Sequence, residues 1–114
     1  MAYGRTARFE GVREIAFGAI GAGYGAIGAI TTDYTRLFTI TNETNQPIYI
    51  SFDGVTDHLR FVSGASRMYN VSANKVRDDG LFLPKRTVFY IRHGGVAPGS
   101  GLVAVEVMYA SGGV

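Results

Sequence analysis

The densest group of polar side chains lies at residues 53–58, where Asp53, Thr56, Asp57 and His58 stand close together. Carboxylates and an imidazole at this density could hold a metal ion. The spacing is not that of an EF-hand, because Gly64 occupies the twelfth position, where a bidentate acidic ligand is required. Asp-Gly pairs begin turns, and Thr and Asp side chains bond nearby backbone groups. We therefore interpret the segment as a turn and predict no metal and no cofactor.

A glycine motif and a second histidine also suggest chemistry, but neither has the required context. Residues 23–28 match G-x-G-x-x-G. Dinucleotide binding needs a strand before this motif and a helix after it, whereas here a short polar run leads into another strand. His93 has no cysteine and no G-x-S-x-G elbow to activate. We predict that the protein is not an enzyme and has no catalytic residues.

The composition is typical of one small domain, and most of its basic residues are arginines. The chain has 114 residues, no cysteine, and 11 basic against 9 acidic side chains, for a net charge of +2. Disulfides and thiolate zinc sites are excluded. So small a charge excess does not indicate nucleic-acid binding, and no nucleic acid is expected as a partner. Of the basic residues only Lys75 and Lys85 are lysines, and arginine suits protein interfaces.

From residue 36 onward the chain alternates like a series of short strands. The runs are rich in β-branched and aromatic residues, are separated by turn residues, and lie at 37–41, 48–52, 58–62, 67–71, 81–83, 88–92 and 102–109. No stretch sustains a helical period. We predict an all-β fold of about seven or eight short strands. It would be an antiparallel β-sandwich (jelly-roll or Ig-like) or a small barrel.

The residues before this region form two segments of different composition. Residues 1–14 mix charge with glycine and show no period, so we predict an extended N-terminal arm. Residues 15–32 are uncharged and Gly/Ala-rich, and five glycines between positions 18 and 28 disfavour a membrane helix. We predict that residues 15–32 pack on another backbone or between subunits, that 33–114 form the β-sandwich domain, and that no membrane is involved. The candidate partner-binding residues are Arg5, Arg8, Phe9, Arg13, Phe17 and Tyr24.

Several segments resemble a group of small virion structural proteins of tailed bacteriophages. They are ITNET at 40–44, ISFDGVTDH at 50–58, SANK at 72–75, GLFLPK at 80–85 with Thr87, and PGSG at 98–101, and upstream Ile15-Ala16-Phe17 with Tyr24 and Gly28. The resemblance covers residues 15–110, and Ser-Phe-Asp-Gly at 51–54 is its most distinctive part. Two departures stand out: Arg86 occupies a position where a turn glycine is expected, and the 18–28 stretch is richer in glycine.

The resemblance implies a non-enzymatic virion protein assembled in the bacterial host cytoplasm. The expected function is multi-copy capsid decoration or cement, which stabilises the head through protein–protein contacts. The expected partners are the major capsid protein, or portal and tail proteins, together with further copies of the chain in a homo-oligomer. One alternative is a head–tail connector, tail or fibre-base component. Another is a small receptor- or carbohydrate-binding β module, whose signature would be an exposed tyrosine beside an aspartate, at Tyr3, Tyr34, Tyr69 or Tyr109.

Overall fold

The computed structural model describes residues 6–32, 35–70 and 86–111, which form two antiparallel β-sheets and a single 3₁₀ turn at Phe17–Ala19. The strands are β1 (Thr6–Phe9), β2 (Arg13–Ala16), β3 (Gly25–Ala26), β4 (Thr35–Asn42), β5 (Ile48–Ser51), β6 (Leu59–Phe61), β7 (Ser66–Asn70), β8 (Tyr90–His93) and β9 (Leu102–Ser111). The predicted all-β antiparallel fold is confirmed, and the two sheets form a sandwich-like arrangement. The predicted run at 81–83 lies outside the described residues.

β9 is the central strand of the five-stranded sheet. One of its edges pairs with β4, which in turn pairs with β7, and its other edge pairs with both β1 and β2. Phe9 lies opposite Met108, and Arg13 lies opposite Val105. Between these paired positions the edge has three residues, 10–12, whereas β9 has two, 106 and 107. Residues 10–12 therefore form a β-bulge, which turns the edge strand outward at this point.

The second sheet has four strands in the order β3-β8-β5-β6. Alternate side chains of both sheets meet between them, as the period of a strand requires. Val103, Val105 and Val107 on β9 are buried there. Their buried neighbours in the core are Phe38, Ile40, Ile48, Ile50, Phe61, Phe89 and Ile91. This face of β9 is thus the centre of the core.

The residues before position 33 contribute strands to both sheets. Residues 6–14 of the predicted arm lie along β9 of the same chain. Within residues 15–32, Ile20 and Ile27 are buried in the core, and β3 pairs with β8. None of the described segments contains a helix with the length and apolar character needed to cross a membrane.

Asn42 joins two connections at one end of the sandwich. Its side chain is fully buried, and Nδ2 donates to the carbonyl oxygens of Gln46, Phe61 and Val62 at 2.9–3.2 Å. Its Oδ1 accepts hydrogen bonds from the backbone N–H and the hydroxyl of Thr44. Every polar atom of this amide is therefore used, which satisfies a buried group and ties the β4–β5 connection to the β6–β7 turn.

Two of the five described positions with positive φ bear on the fold. Gly101 has φ +89°, and a Cβ placed there would lie 2.0 Å from the carbonyl oxygen of Glu43. The close approach of these two backbone segments therefore requires glycine. Arg86 has φ 69° and is the sole non-glycine residue with positive φ in the described segments. The departure from the resemblance noted at Arg86 therefore falls where the backbone does favour glycine.

Candidate partner-binding surface

The outward side of the five-stranded sheet carries a group of apolar side chains, and we call this side the outer face. Strand register places there the apolar residues Phe9, Ala16, Leu37, Met68, Leu102, Ala104 and Met108 and the polar residues Thr39, Thr41, Ser66 and Asn70. Val12, in the bulge, borders the same groove as Phe9 and Leu37. Phe9 is 71% exposed and Met68 63% exposed. Phe9, Met108 and Leu37 lie side by side on three adjacent strands. Contiguous exposed apolar surface of this kind marks interaction sites.

Three glutamates accompany these apolar side chains. Glu14 on β2 lies opposite Ala104, and Glu106 on β9 lies opposite Thr39, both on outward positions. Glu43 follows β4 directly, and its N–H donates to the carbonyl oxygen of Leu102 at 2.8 Å, which extends the ladder. All three are exposed, and none has an ion-pair partner among the residues that the structure describes.

Two grooves meet at the ring of Phe9. One, of about 240 Å³, runs over the outer face between Phe9, Leu37 and Glu106. The other, of about 370 Å³, lies between the edge strand and the segment before β4, where Ile30 and Tyr109 line it. Because Phe9 borders both grooves and is largely exposed, it is the side chain best placed to insert into a partner.

A buried ion pair sets the shape of the bulge next to Phe9. Arg13 Nη2 donates to Glu10 Oε2 at 3.1 Å, Arg13 Nε donates to the other carboxylate oxygen, and the Tyr109 hydroxyl also donates to Glu10. Arg13 Nη1 donates to the carbonyl oxygen of Ile27 at 2.9 Å. The Arg13 side chain is only 9% exposed. Arg13 therefore fixes the bulge that presents Phe9 and is not itself available to a partner.

The same contacts shift two pKa values. Partial burial alone would raise the pKa of Glu10, but the hydrogen bonds from Arg13 and Tyr109 outweigh it, and the pKa of the carboxyl is lowered. Burial, and then the hydrogen bond to Glu10, raise the pKa of Tyr109. Both groups keep their usual neutral-pH states, so the network persists across that range.

A second polar cluster lies on the outward side of the four-stranded sheet. Arg92 donates to Asp57 through Nε at 3.0 Å and Nη2 at 2.6 Å, and the Tyr24 hydroxyl donates to the same carboxylate. The guanidinium lies 4.5 Å from the ring centroid of Tyr49. This cluster ties the segment before β3 and the β5–β6 loop to β8, and its internal bonds occupy the groups that a ligand would use.

The pKa values of this cluster move in the directions expected for a bidentate pair. The hydrogen bond from Arg92, with that from Tyr24, lowers the pKa of Asp57. The hydrogen bond to Asp57 raises the pKa of Arg92. Desolvation, followed by the hydrogen bond to Asp57, raises the pKa of Tyr24 to about 12.

The segment at residues 53–58 is a turn, as predicted. Asp53 Oδ1 accepts hydrogen bonds from the N–H groups of Val55 and Thr56, each at 2.8 Å, and from the Ser51 hydroxyl. These bonds hold the pKa of Asp53 well below its usual range. His58 Nδ1 accepts from the N–H of Phe52. Within the described ranges, no three His, Cys, Asp or Glu residues form a group that could hold a metal ion.

The six predicted partner-binding residues are not brought together at one site. Phe9 is on the outer face and Phe17 is exposed at the 3₁₀ turn, whereas Arg13 and Tyr24 are bonded internally. The backbone of Arg8 pairs with Tyr109 in the sheet, and Arg5 lies outside the described residues.

Two of the four tyrosines named for a carbohydrate module are described, and neither is an exposed tyrosine beside an aspartate. Tyr69 stacks on Phe38 at 5.1 Å, and Tyr109 is buried beside Glu10, not an aspartate. Tyr3 and Tyr34 lie outside the described residues.

Sequence reasoning missed Leu37, Met68 and the three glutamates as surface partners of Phe9. Alternation along β9 did separate Leu102, Ala104, Glu106 and Met108 from the buried valines, and this was the available signal. The neighbours of that face depend on strand pairing, which the alternation does not specify.

No family model, no curated protein and no solved structure matches the chain. Function is therefore argued from the residues of the chain itself.

Proposed function

We propose that the protein is a structural subunit of a bacteriophage virion that works through protein–protein contact and not through catalysis. The observation that carries the proposal is the outer face, where Phe9, Val12 and Met68 are exposed on a rigid sheet. Apolar surface removed from water contributes about 25 cal/mol per Å². A few hundred Å² buried by each of many copies would stabilise an assembled particle relative to its free parts.

The position proposed for the subunit is the head shell, as a multi-copy decoration or cement protein on the major capsid protein. The resemblance at residues 40–58 and 80–101 supports a place in the virion. A sandwich held by two internal ion-pair clusters supports a rigid body that presents one surface without rearranging. The alternative position, among portal or tail proteins, uses the same surface with fewer copies.

Quantitative mass spectrometry of purified particles tests this function. The sample is a tailed phage that encodes the chain, and the measurement is the copy number relative to the major capsid protein. One copy per major capsid subunit, or a simple fraction of one copy, supports decoration of the head. A few copies per particle support the connector or tail position and overturn the head position. Absence of the chain from washed particles overturns the proposal as a whole.

A further inference from the structure

The exposed glutamates of the described residues gather on the outer face. Glu14, Glu43 and Glu106 lie there, around its apolar side chains. The fourth glutamate, Glu10, is already paired with Arg13. The part of the outer face that contains the three exposed glutamates is therefore acidic as well as apolar.

The flank formed by β6 and β7 is basic. We define the basic side as Arg60, Val62 and Arg67, all of them exposed. The Arg67 guanidinium lies 4.1 Å from the ring centroid of Phe61 and donates to the carbonyl oxygen of Arg60. These contacts hold the arginine in place, and neither Arg60 nor Arg67 has an acidic partner within the described segments.

The two surfaces differ in position as well as in sign. β6 and β7 are edge strands of the two sheets and are joined by a short turn, so the basic side lies along one flank of the sandwich. Within it, Arg60 lies opposite Tyr49, on the outward side of the four-stranded sheet and away from the outer face. The outer face lies on one of its broad sides. Two outer faces packed against each other would bring glutamates close to glutamates, which costs free energy. A basic side placed on an outer face instead brings opposite charges together.

We propose that the chain associates with itself head to tail, the basic side of one copy binding the outer face of the next. Arg60 and Arg67 would form charge-assisted hydrogen bonds with glutamates of the outer face, and Val62 would pack among its apolar side chains. Because the two contacting surfaces differ, the contact is heterologous and generates rings or extended rows. The inference rests on the outer face used in the proposed function and names a second copy as its occupant.

Charge reversal in the full-length chain tests this pairing. The variants are Glu106→Arg, Arg60→Glu and the double variant with both changes, and sedimentation velocity over a range of concentrations measures association. The wild-type protein should form species larger than dimers that dissociate as salt is raised. Each single variant should raise the dissociation constant at least about tenfold, and the double variant should restore it.

The single variant Arg60→Glu separates the two symmetries. In a face-to-face contact Arg60 lies outside the interface, so its reversal would leave the dissociation constant unchanged. That result overturns the head-to-tail pairing, whereas restored association in the double variant supports it. Arg86→Glu, which removes a cation that belongs to neither surface, is the control for net charge and should associate as the wild type does. Thermal unfolding confirms that each variant is folded.

A wild-type chain that remains monomeric at all concentrations overturns self-association. That result would not overturn the proposed virion function, which mass spectrometry of purified particles tests independently.

Discussion

Arg86 holds a backbone conformation that glycine adopts at lower cost. Its φ of 69° lies in the region where a side chain costs roughly 1–2 kcal/mol. We expect Arg86→Gly to raise the free energy of unfolding by about 0.5–1 kcal/mol, after the larger entropy of glycine in the unfolded chain is subtracted. Urea denaturation measures it. The control is Arg86→Ala, which removes the guanidinium but keeps Cβ and should not stabilise the folded protein. If both variants raised the unfolding free energy equally, the cost at Arg86 would come from its long side chain and not from its backbone conformation.

Gly101 shows the opposite case, a glycine that the fold requires. Gly101→Ala would force a Cβ into the Glu43 backbone at a φ of +89°. We expect a loss of about 3 kcal/mol or more in unfolding free energy, since strain and displacement of the β4–β5 connection add. The matched control is Gly95→Ala, where no atom lies within 4 Å of the added Cβ. A loss below about 1 kcal/mol at Gly101 would show that the two connections move apart easily.

At the scale of elements, the Tyr24–Asp57–Arg92 cluster joins three segments that are distant in sequence. The pKa of Asp57 is lowered in the folded protein, so its contribution to stability is fully present above the unfolded pKa of about 4. It is lost as pH falls through the folded value. We expect Asp57→Asn to lower the melting temperature at pH 7, and the difference from wild type to shrink as pH falls below about 4.

Calorimetry of both proteins between pH 2 and 7 measures this difference. A gap in melting temperature that stays constant across the range would mean that Asp57 acts through packing and not through its charge. Val55→Ala, in the same exposed loop, is the control for local disturbance and should show no pH-dependent gap.

The strands were predictable where alternation was long. β4, β5 and β9 were recognised from alternating side chains, and the structure shows which of the two faces of each strand is buried. β1 and the first half of β2 were assigned to an arm, and the second half of β2 to the Gly/Ala-rich segment. Each strand is only four residues long, and the bulge between them interrupts the alternation of inward and outward side chains. A period-2 pattern interrupted after four residues carries too little signal to identify an edge strand.

The polar clusters were beyond sequence reasoning for a different reason. Asp57 and Arg92 are 35 positions apart, and Glu10 and Tyr109 are 99 apart. Such pairs form only because the strands that carry them are brought together. The turn at Asp53 was predictable because its hydrogen bonds reach only two or three residues along the chain.

At the scale of the whole molecule, the outer face is the surface proposed to hold the chain in the particle. We expect Phe9→Asp to reduce incorporation of the chain into particles at least about tenfold, since a largely exposed ring would be replaced by a charge that must be desolvated on binding. Quantitative mass spectrometry of particles grown with each variant measures it.

The control for this experiment is Val55→Asp, which places the same charge at an apolar side chain that is 83% exposed on the β5–β6 loop. It should be incorporated as the wild type is. Equal loss in both variants would point to solubility or expression, and normal incorporation of Phe9→Asp would remove Phe9 from the contact.

The position of β9 has a consequence for synthesis. It follows every other described strand in the chain, yet β1, β2 and β4 all depend on it for their hydrogen bonds. While a ribosome is still adding residues 102–111, those three strands have unpaired edges and their valine partners are missing. Such edges invite pairing with other chains. Nascent copies are therefore most vulnerable to aggregation until residues 102–111 are available to pair, since the five-stranded sheet cannot form before then.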